Sequence, residues 1–136
     1  MEYISFDEFK KLDIYNDFIN VNPDLGVLKI EAFTADEGVP IADTDIVIYK
    51  DIGEYNVVFF KGKTDSSGMI DNIYLPTPKR SDSMSLEVPL YTVYEMNAFH
   101  IGYETIKQYS IGMFGDVKVI QYVKMMPEIV LGDIND

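Results

Sequence analysis

The chain has 136 residues and contains no cysteine, no tryptophan and a single histidine, His100. Without cysteine it can form neither a disulfide nor a thiolate metal site, and it offers no cysteine nucleophile. One histidine excludes a zinc site built from several histidines of this chain. The lack of tryptophan removes the largest aromatic side chain on which a ligand could stack.

Basic side chains are scarce. Lys and Arg number 11 against 23 Asp and Glu, which gives a net charge of −12, and Arg80 is the only arginine. Nucleic-acid-binding surfaces need a basic stripe, so we expect no nucleic-acid partner. No apolar run approaches the roughly 18–20 residues of a membrane span, so we expect no membrane partner either.

The N-terminus, MEYISFDEFKK, is acidic and lacks the positively charged first region and the apolar second region of a signal peptide. We therefore expect synthesis in the cytoplasm, followed by residence there or incorporation into a particle or a spore layer. The preference for lysine over arginine and the many isoleucines indicate an AT-rich, Firmicutes-like bacterial or phage source.

Length and composition indicate one globular domain with extensions. The chain is 47% hydrophobic and 25% charged, as ordinary folded proteins are. We divide it into an N-terminal helical arm (1–25), a β-sandwich domain (26–126) and a C-terminal tail (127–136).

The arm carries a helix start signal. Ser5 and Glu8 have the spacing of a capping box, in which a hydroxyl and a carboxylate three residues apart bind the first backbone amides. Large apolar side chains recur through the arm at Phe6, Phe9, Leu12, Tyr15 and Phe18. So much apolar surface must be buried, either against the domain of the same chain or against another chain.

The central zone alternates with a period of two. Leu28, Ile30 and Ala32 fall on one side of a predicted strand, and Lys29 and Glu31 fall on the other. Seven such strands are predicted, at 26–34, 44–50, 56–63, 69–75, 90–99, 103–111 and 117–125. Turns every 8–12 residues without intervening helices indicate an all-β antiparallel sandwich or barrel.

An ordered set of motifs resembles a known family. The motifs are Gly26-x-Leu28-x-Ile30, Thr64-Asp65-x-x-Gly68, Leu75-Pro76-x-Pro78, Pro89-x-Tyr91-x-x-Tyr94, Gly102-Tyr103-Glu104 and Val123-x-x-Met126-Pro127. Over about 26–127 the chain resembles the carboxypeptidase-regulatory-like (prealbumin- or transthyretin-like) domain. It is most similar to the N-terminal domain of clostridial spore cortex-lytic enzymes. The resemblance implies a seven-stranded antiparallel prealbumin-like or Ig-like sandwich and a non-catalytic accessory role.

Candidate chemistry is sparse, and we predict that the protein is not an enzyme and holds no cofactor or metal. His100 has no serine motif or orienting partner that the sequence reveals. Asp36, Glu37, Asp43 and Asp45 crowd the first turn, yet they lack the spacing of a calcium loop. Solvated turn carboxylates are favoured there, with calcium binding left as an alternative.

Several apolar positions indicate an interaction surface. Val57 to Phe60 form an unbroken apolar run, so one side of that strand, carrying Val58 and Phe60, must be covered. Together with five arm residues and two tail residues, they form the predicted protein interface: Phe6, Phe9, Leu12, Tyr15, Phe18, Val58, Phe60, Ile129 and Leu131. The tyrosines at 91, 94, 103, 109 and 122 are either core residues or an exposed binding face.

These features favour a non-enzymatic structural or accessory subunit. It would dock by protein–protein contacts into a larger bacterial, phage or phage-tail-like assembly, with other protein subunits or further copies of itself as partners. The alternative is a peptidoglycan- or carbohydrate-binding accessory module of the spore or cell wall. That alternative predicts an exposed aromatic strip with polar neighbours, whereas docking predicts a flat apolar patch.

Overall fold

A computed structural model describes residues 2–80 and 90–129 of the chain. Its elements, in chain order, are β1 (Glu2–Ser5), α1 (Phe6–Phe9), α2 (Asp13–Val21), β2 (Asp24–Thr34), β3 (Asp45–Ile52), β4 (Tyr55–Lys63), β5 (Met69–Thr77), β6 (Thr92–Phe99), β7 (Ile106–Met113) and β8 (Lys118–Met125). Five strands form one sheet in the order β1-β4-β3-β6-β7, and three form a second in the order β5-β2-β8.

The core lies between the two sheets. Its fully buried members come from both inner faces and include Leu28 and Ile30 of β2, Ile46 and Ile48 of β3, and Met96 of β6. On each strand these residues alternate with more exposed neighbours, as the period-two pattern predicts. The all-β sandwich is therefore confirmed.

The predicted seven-stranded, fully antiparallel arrangement is wrong in two respects. Glu2–Ser5 form an eighth strand, β1, which pairs in parallel with β4. In the smaller sheet, β2 pairs antiparallel with β5 but parallel with β8. Strands far apart in the chain can pair in either direction, because the long connection between them does not impose a hairpin.

The arm folds back on its own sandwich. Phe9 is fully buried in a second apolar cluster that also contains Ile4, Phe18 and Val57. The capping box is confirmed, because the Ser5 hydroxyl accepts from the Glu8 backbone N–H at 3.1 Å and the Glu8 carboxylate accepts from the Ser5 backbone N–H at 3.5 Å. Of the two alternatives for the arm's apolar surface, the structure shows burial within the same chain.

One extra residue in β4 joins the arm to the core. Ile48 pairs with Phe60 and the adjacent Tyr49 pairs with Val58, so Phe59 is a bulge residue without its own partner. Its ring centroid lies 4.8 Å from that of Phe6 in the arm and 5.0 Å from that of Tyr94 in the core. The bulge therefore turns Phe59 inward, between the two apolar clusters.

Polar side chains tie the parts together. The buried Tyr94 hydroxyl donates to the Pro76 carbonyl at 2.5 Å, which links β6 of the larger sheet to β5 of the smaller one. At the end of α2, the buried Asn22 amide donates to the Phe18 carbonyl at 3.0 Å and accepts from the Thr92 hydroxyl. The Asn22–Thr92 bond fixes the position of the arm relative to β6.

Candidate functional site

The outer face of the smaller sheet carries apolar side chains at positions that point away from the core. We define the docking face as Val27 and Phe33 of β2, Tyr74 of β5, and Ile120 and Tyr122 of β8. Tyr74 and Tyr122 are each 58% exposed, and Ile120 is 45% exposed. An outer sheet face is usually polar, so a group of this composition is typical of an interaction site.

Strand register brings these side chains together. Val27 pairs with Tyr74 on one side and with Lys118 on the other, so Tyr74 and Val27 are direct neighbours across the sheet. Ile120 and Tyr122 alternate along β8, and the Phe33 ring meets the Tyr122 ring edge-on with centroids 6.2 Å apart. The docking face is therefore one continuous surface across all three strands.

Two ion pairs lie among these apolar side chains. The Lys29 ammonium lies 3.5 Å from a Glu31 carboxylate oxygen, and the Lys118 ammonium lies 3.4 Å from Asp71. The backbone N–H of Asn72, followed by Lys118, holds the pKa of the Asp71 carboxyl below its ordinary value. The centre of this face thus combines aromatic and aliphatic surface with paired charges.

A groove of about 450 Å³ crosses the outer face of the larger, five-stranded sheet. We define the groove by its lining residues, Tyr3, Val47, Tyr49, Asp51, Asn56, Val58, Asn97, Lys107 and Gln108. They come from β1, β3, β4, β6 and β7, so the groove spans the full width of the sheet.

Hydrogen bonds order both ends of the groove. At one end, the Asn56 amide donates to the Asp51 carboxylate at 2.8 Å. At the other end, the Asn97 carbonyl oxygen accepts from the Gln108 backbone N–H at 3.0 Å and from the Tyr49 hydroxyl at 3.3 Å. Burial raises the pKa of the Tyr49 phenol, and the carboxylates of Glu95 and Asp51 add to the effect.

The predicted interface residues divide between the interior and the surface. Phe6, Phe9, Leu12, Tyr15 and Phe18 all belong to the arm's intramolecular cluster. Val58 lines the groove, whereas Phe60 packs against the main core, because the bulge at Phe59 changes which side of β4 each residue faces. Ile129 is exposed, and Leu131 lies outside the described residues.

The tyrosines highlighted by the sequence do not form one cluster. Tyr94 is fully buried in the core, and Tyr122 lies on the docking face. Tyr91 contacts Phe114, with ring centroids 5.5 Å apart, and Tyr103 meets the ring of His100 edge-on at 5.4 Å. They therefore serve the core, the edges and one exposed face separately.

The candidate chemical groups are dispersed. Within residues 2–80 and 90–129, no three histidine, aspartate or glutamate side chains come close enough together to hold a metal ion. The His100 ring nitrogen lies 2.7 Å from the neighbouring Ile101 carbonyl oxygen, in a turn after β6. Over the same residues, no helix is long and apolar enough to span a membrane.

The sequence contained a signal for the docking face that the strand prediction did not use. Val27, Ile120 and Tyr122 are apolar residues at positions whose period-two phase faces solvent. From a single sequence, an exposed apolar residue at such a position cannot be distinguished from one that is buried against a neighbouring element. No sequence pattern indicated the groove, because its residues come from five different strands.

Comparisons with known proteins identify the fold class. No family model and no curated protein matches the chain. Among solved structures, it is similar to a 3-chlorocatechol 1,2-dioxygenase from Rhodococcus opacus 1CP, with 12% identity and a TM-score of 0.51 over 77% of this chain and 61% of that one. It is also similar to GBS52, a minor pilin of Streptococcus agalactiae, with 13% identity and a TM-score of 0.52 over 79% and 46%.

A third similar structure is the shaft pilin SpaA from Lactobacillus rhamnosus GG, with 18% identity and a TM-score of 0.50 over 78% of this chain and 52% of that one. The chain thus spans about half to three-fifths of the length of these proteins. They share a prealbumin- or Ig-like sandwich-type fold with it. None of these matches is a carboxypeptidase-regulatory-like domain or a cortex-lytic enzyme, so that resemblance stays a prediction.

Proposed function

We propose that the protein is a non-enzymatic structural subunit that docks onto a larger protein partner through the docking face. The observation that carries the proposal is the group of exposed and half-buried aromatic and aliphatic side chains on the outer side of β5, β2 and β8. Tyrosine and phenylalanine are enriched at protein interfaces, where they bury a large surface at a small entropic cost. Two of the three solved structures described above are pilins, which is compatible with a subunit role.

Charge favours a different protein over a second copy. At a net charge of −12, two copies of the chain repel each other as they approach. A partner with an apolar centre and a basic rim would be attracted instead, and its charges would also steer the encounter. We therefore assign the docking face to a heterologous subunit of a bacterial, phage or phage-tail-like assembly, with self-association as an outcome that the test must separate.

Site-specific photo-crosslinking in the native source tests this assignment. A photoreactive amino acid at position 122 samples the docking face, and the same amino acid at position 3 samples the opposite side of the molecule. We expect one discrete adduct from position 122 with a protein that copurifies at fixed stoichiometry, and no such adduct from position 3.

Purified components complete the test. The purified partner should bind the wild-type chain, and Tyr122→Ser should weaken that binding by about tenfold or more, as for a central interface aromatic. The proposal fails if position 122 gives no adduct, if both positions give the same adduct, or if the adduct joins two copies of this chain.

A further inference from the structure

The groove on the five-stranded sheet lies on the opposite side of the sandwich from the docking face, and the proposed docking function does not use it. We propose that the groove binds an uncharged oligosaccharide. The inference concerns a separate surface, so it does not depend on the proposed docking function.

The groove has an apolar middle between two polar ends. The middle of the groove is formed by Val47, Val58 and the ring of Tyr49. Tyr49 pairs with Val58 in the strand register, and Val47 precedes Tyr49 by two residues on the same side of β3. Sugar rings present patches of C–H groups alongside hydroxyls. A half-apolar floor of this kind accepts such patches, and polar side chains around it can fix their orientation.

The polar ends supply both donors and acceptors. Because the Asn97 carbonyl oxygen already accepts two hydrogen bonds, its amide NH₂ is oriented by the fold and can donate to a ligand. Lys107 and Gln108 add further donors beside it. At the other end, Asp51 uses one carboxylate oxygen to hold Asn56, which leaves the second oxygen and the Asn56 carbonyl as acceptors.

Tyr3 extends the floor at the open side. It pairs with Asn56 across the β1–β4 ladder and is 76% exposed. A tyrosine this exposed beside ordered amides offers its ring to an apolar ligand surface and its hydroxyl to a hydrogen bond. The short parallel strand β1, which the arm anchors through Ile4, is what brings Tyr3 to the groove.

Charge and size narrow the ligand class. The groove holds one acidic residue, Asp51, and one basic residue, Lys107, so its own lining has no net charge. The chain around it carries −12, which disfavours anionic polymers. A volume of about 450 Å³ falls in the range of small-ligand sites and accommodates a short oligosaccharide.

Amide NMR of the full ¹⁵N-labelled chain tests the proposal directly. The probes are three uncharged tetrasaccharides: β-1,4-linked N-acetylglucosamine, β-1,4-linked glucose and α-1,4-linked glucose. We expect at least one of them to shift the side-chain amides of Asn56, Asn97 and Gln108, with a Kd of about 1 mM or below. The backbone amides of β2 and β8 should not move.

Matched variants show which surface binds the oligosaccharide. Gln108→Ala removes one ligand hydrogen bond and should weaken binding by about two- to tenfold. Tyr3→Ala should weaken binding to a similar or greater extent. Tyr74→Ala, a comparably exposed tyrosine on the docking face, should leave it unchanged.

Three results would overturn the inference. The first is no shift with any tetrasaccharide at about 10 mM, far above the expected Kd. The second is a shift confined to the docking face. The third is a groove response to an uncharged extended peptide, such as tetra-alanine amide with an acetylated N-terminus, in the absence of a response to the sugars. A normal spectrum of each unliganded variant establishes that it is folded.

Discussion

Tyr94 shows how one side chain can hold the two sheets together. It is fully buried in the core, its ring packs against Phe59, and its hydroxyl donates to the Pro76 carbonyl in the opposite sheet. A buried hydroxyl costs free energy unless it is hydrogen-bonded, and here the bond also satisfies a carbonyl near the end of β5. Tyr94 therefore contributes through packing and through a specific link between sheets.

Replacing Tyr94 with phenylalanine should lower the free energy of unfolding at neutral pH by about 1–3 kcal/mol, because the Pro76 carbonyl then lacks its partner. It should also change the response to alkali. Burial raises the pKa of Tyr94 above its ordinary value of 10.0. Above about pH 10 the unfolded chain therefore loses a proton that the folded chain retains.

Stability consequently falls as the pH rises above 10, by up to about 1.4 kcal/mol per pH unit for this group. Urea unfolding at about pH 8 and about pH 11 should show this loss in the wild type. Tyr94→Phe should show less of it. Tyr122→Phe serves as the control on the surface and should behave as the wild type; equal alkaline losses in all three proteins would contradict the account.

Gly68 lies where two backbone segments come so close together that a side chain would not fit between them. It has a φ of +74°, and an added Cβ would lie 2.4 Å from the Ala32 carbonyl oxygen. Gly38 has a similar φ of +67° but faces open space. Gly68→Ala combines backbone strain with a clash, whereas Gly38→Ala carries the strain alone.

Thermal unfolding of both variants separates the two effects. Gly38→Ala should cost about 1 kcal/mol, and Gly68→Ala should cost at least about 2 kcal/mol more, as overpacking against backbone does. Equal melting temperatures for the two variants would mean that the turn at Gly68 can move away from β2.

At the scale of elements, two of the four edge strands carry bulges. In β5, a bulge places Asn72 at a φ of +57°, and in β7 a bulge places Gln108 at a φ of +54°. Bulges bend an edge strand and disrupt the row of backbone groups to which another strand could pair. Association through those two edges is therefore disfavoured, whereas the pairing of the other two edge strands, β1 and β8, shows no bulge.

The elements also show what sequence can and cannot predict. The strand at 26–34 could be predicted because Leu28, Ile30 and Ala32 alternate with charged residues, and it is observed as β2 from Asp24 to Thr34. The eighth strand, β1, was missed because four residues are too few to show a period. Its position depends on Ile4 packing beside Phe9, which is a tertiary contact.

The candidate sites were harder to predict for the same reason. The Val57–Phe60 run correctly indicated a strand with too much apolar surface, but simple alternation placed Val58 and Phe60 on one side. The bulge at Phe59 separates them, and a bulge is set by the pairing of β3 with β4, not by the sequence of β4 alone.

The arm should open independently of the sandwich when its central contact is removed. Phe9→Ala leaves a cavity in the arm cluster and should cost about 3–5 kcal/mol of arm stability. Hydrogen exchange should then show lost protection in β1 and α2 but retained protection in β2, β3 and β6. Val21→Ala, at an exposed position of α2, should leave exchange unchanged.

The opposite result would be informative about cooperativity. Loss of protection across every strand of Phe9→Ala would show that the arm and the sandwich unfold together. That would be at odds with an arm whose apolar cluster is separate from the main core and meets it at Phe59.

For the whole molecule, the central feature is a sandwich with two chemically different outer faces. The docking face presents aromatic and aliphatic side chains with paired charges, and the groove presents ordered amides around an apolar floor. The net charge of −12 adds electrostatic repulsion between copies and attraction to basic partners. The proposed account is a subunit fixed to its assembly by one face, with the other face free to bind a ligand.

Sedimentation of the native protein tests the docking claim most directly. The wild-type chain and two variants, Ile120→Asp and Ile101→Asp, are expressed in the source cell in place of the native copy. Ile120 lies on the docking face, and Ile101 is an exposed isoleucine in the turn after β6, so each variant adds one charge at an exposed aliphatic position.

We predict that the wild type and Ile101→Asp sediment with a multi-protein particle, whereas Ile120→Asp sediments slowly as a free, folded chain with an unchanged melting temperature. Sedimentation of Ile120→Asp with the particle, or of the wild type as a free chain, would contradict the account.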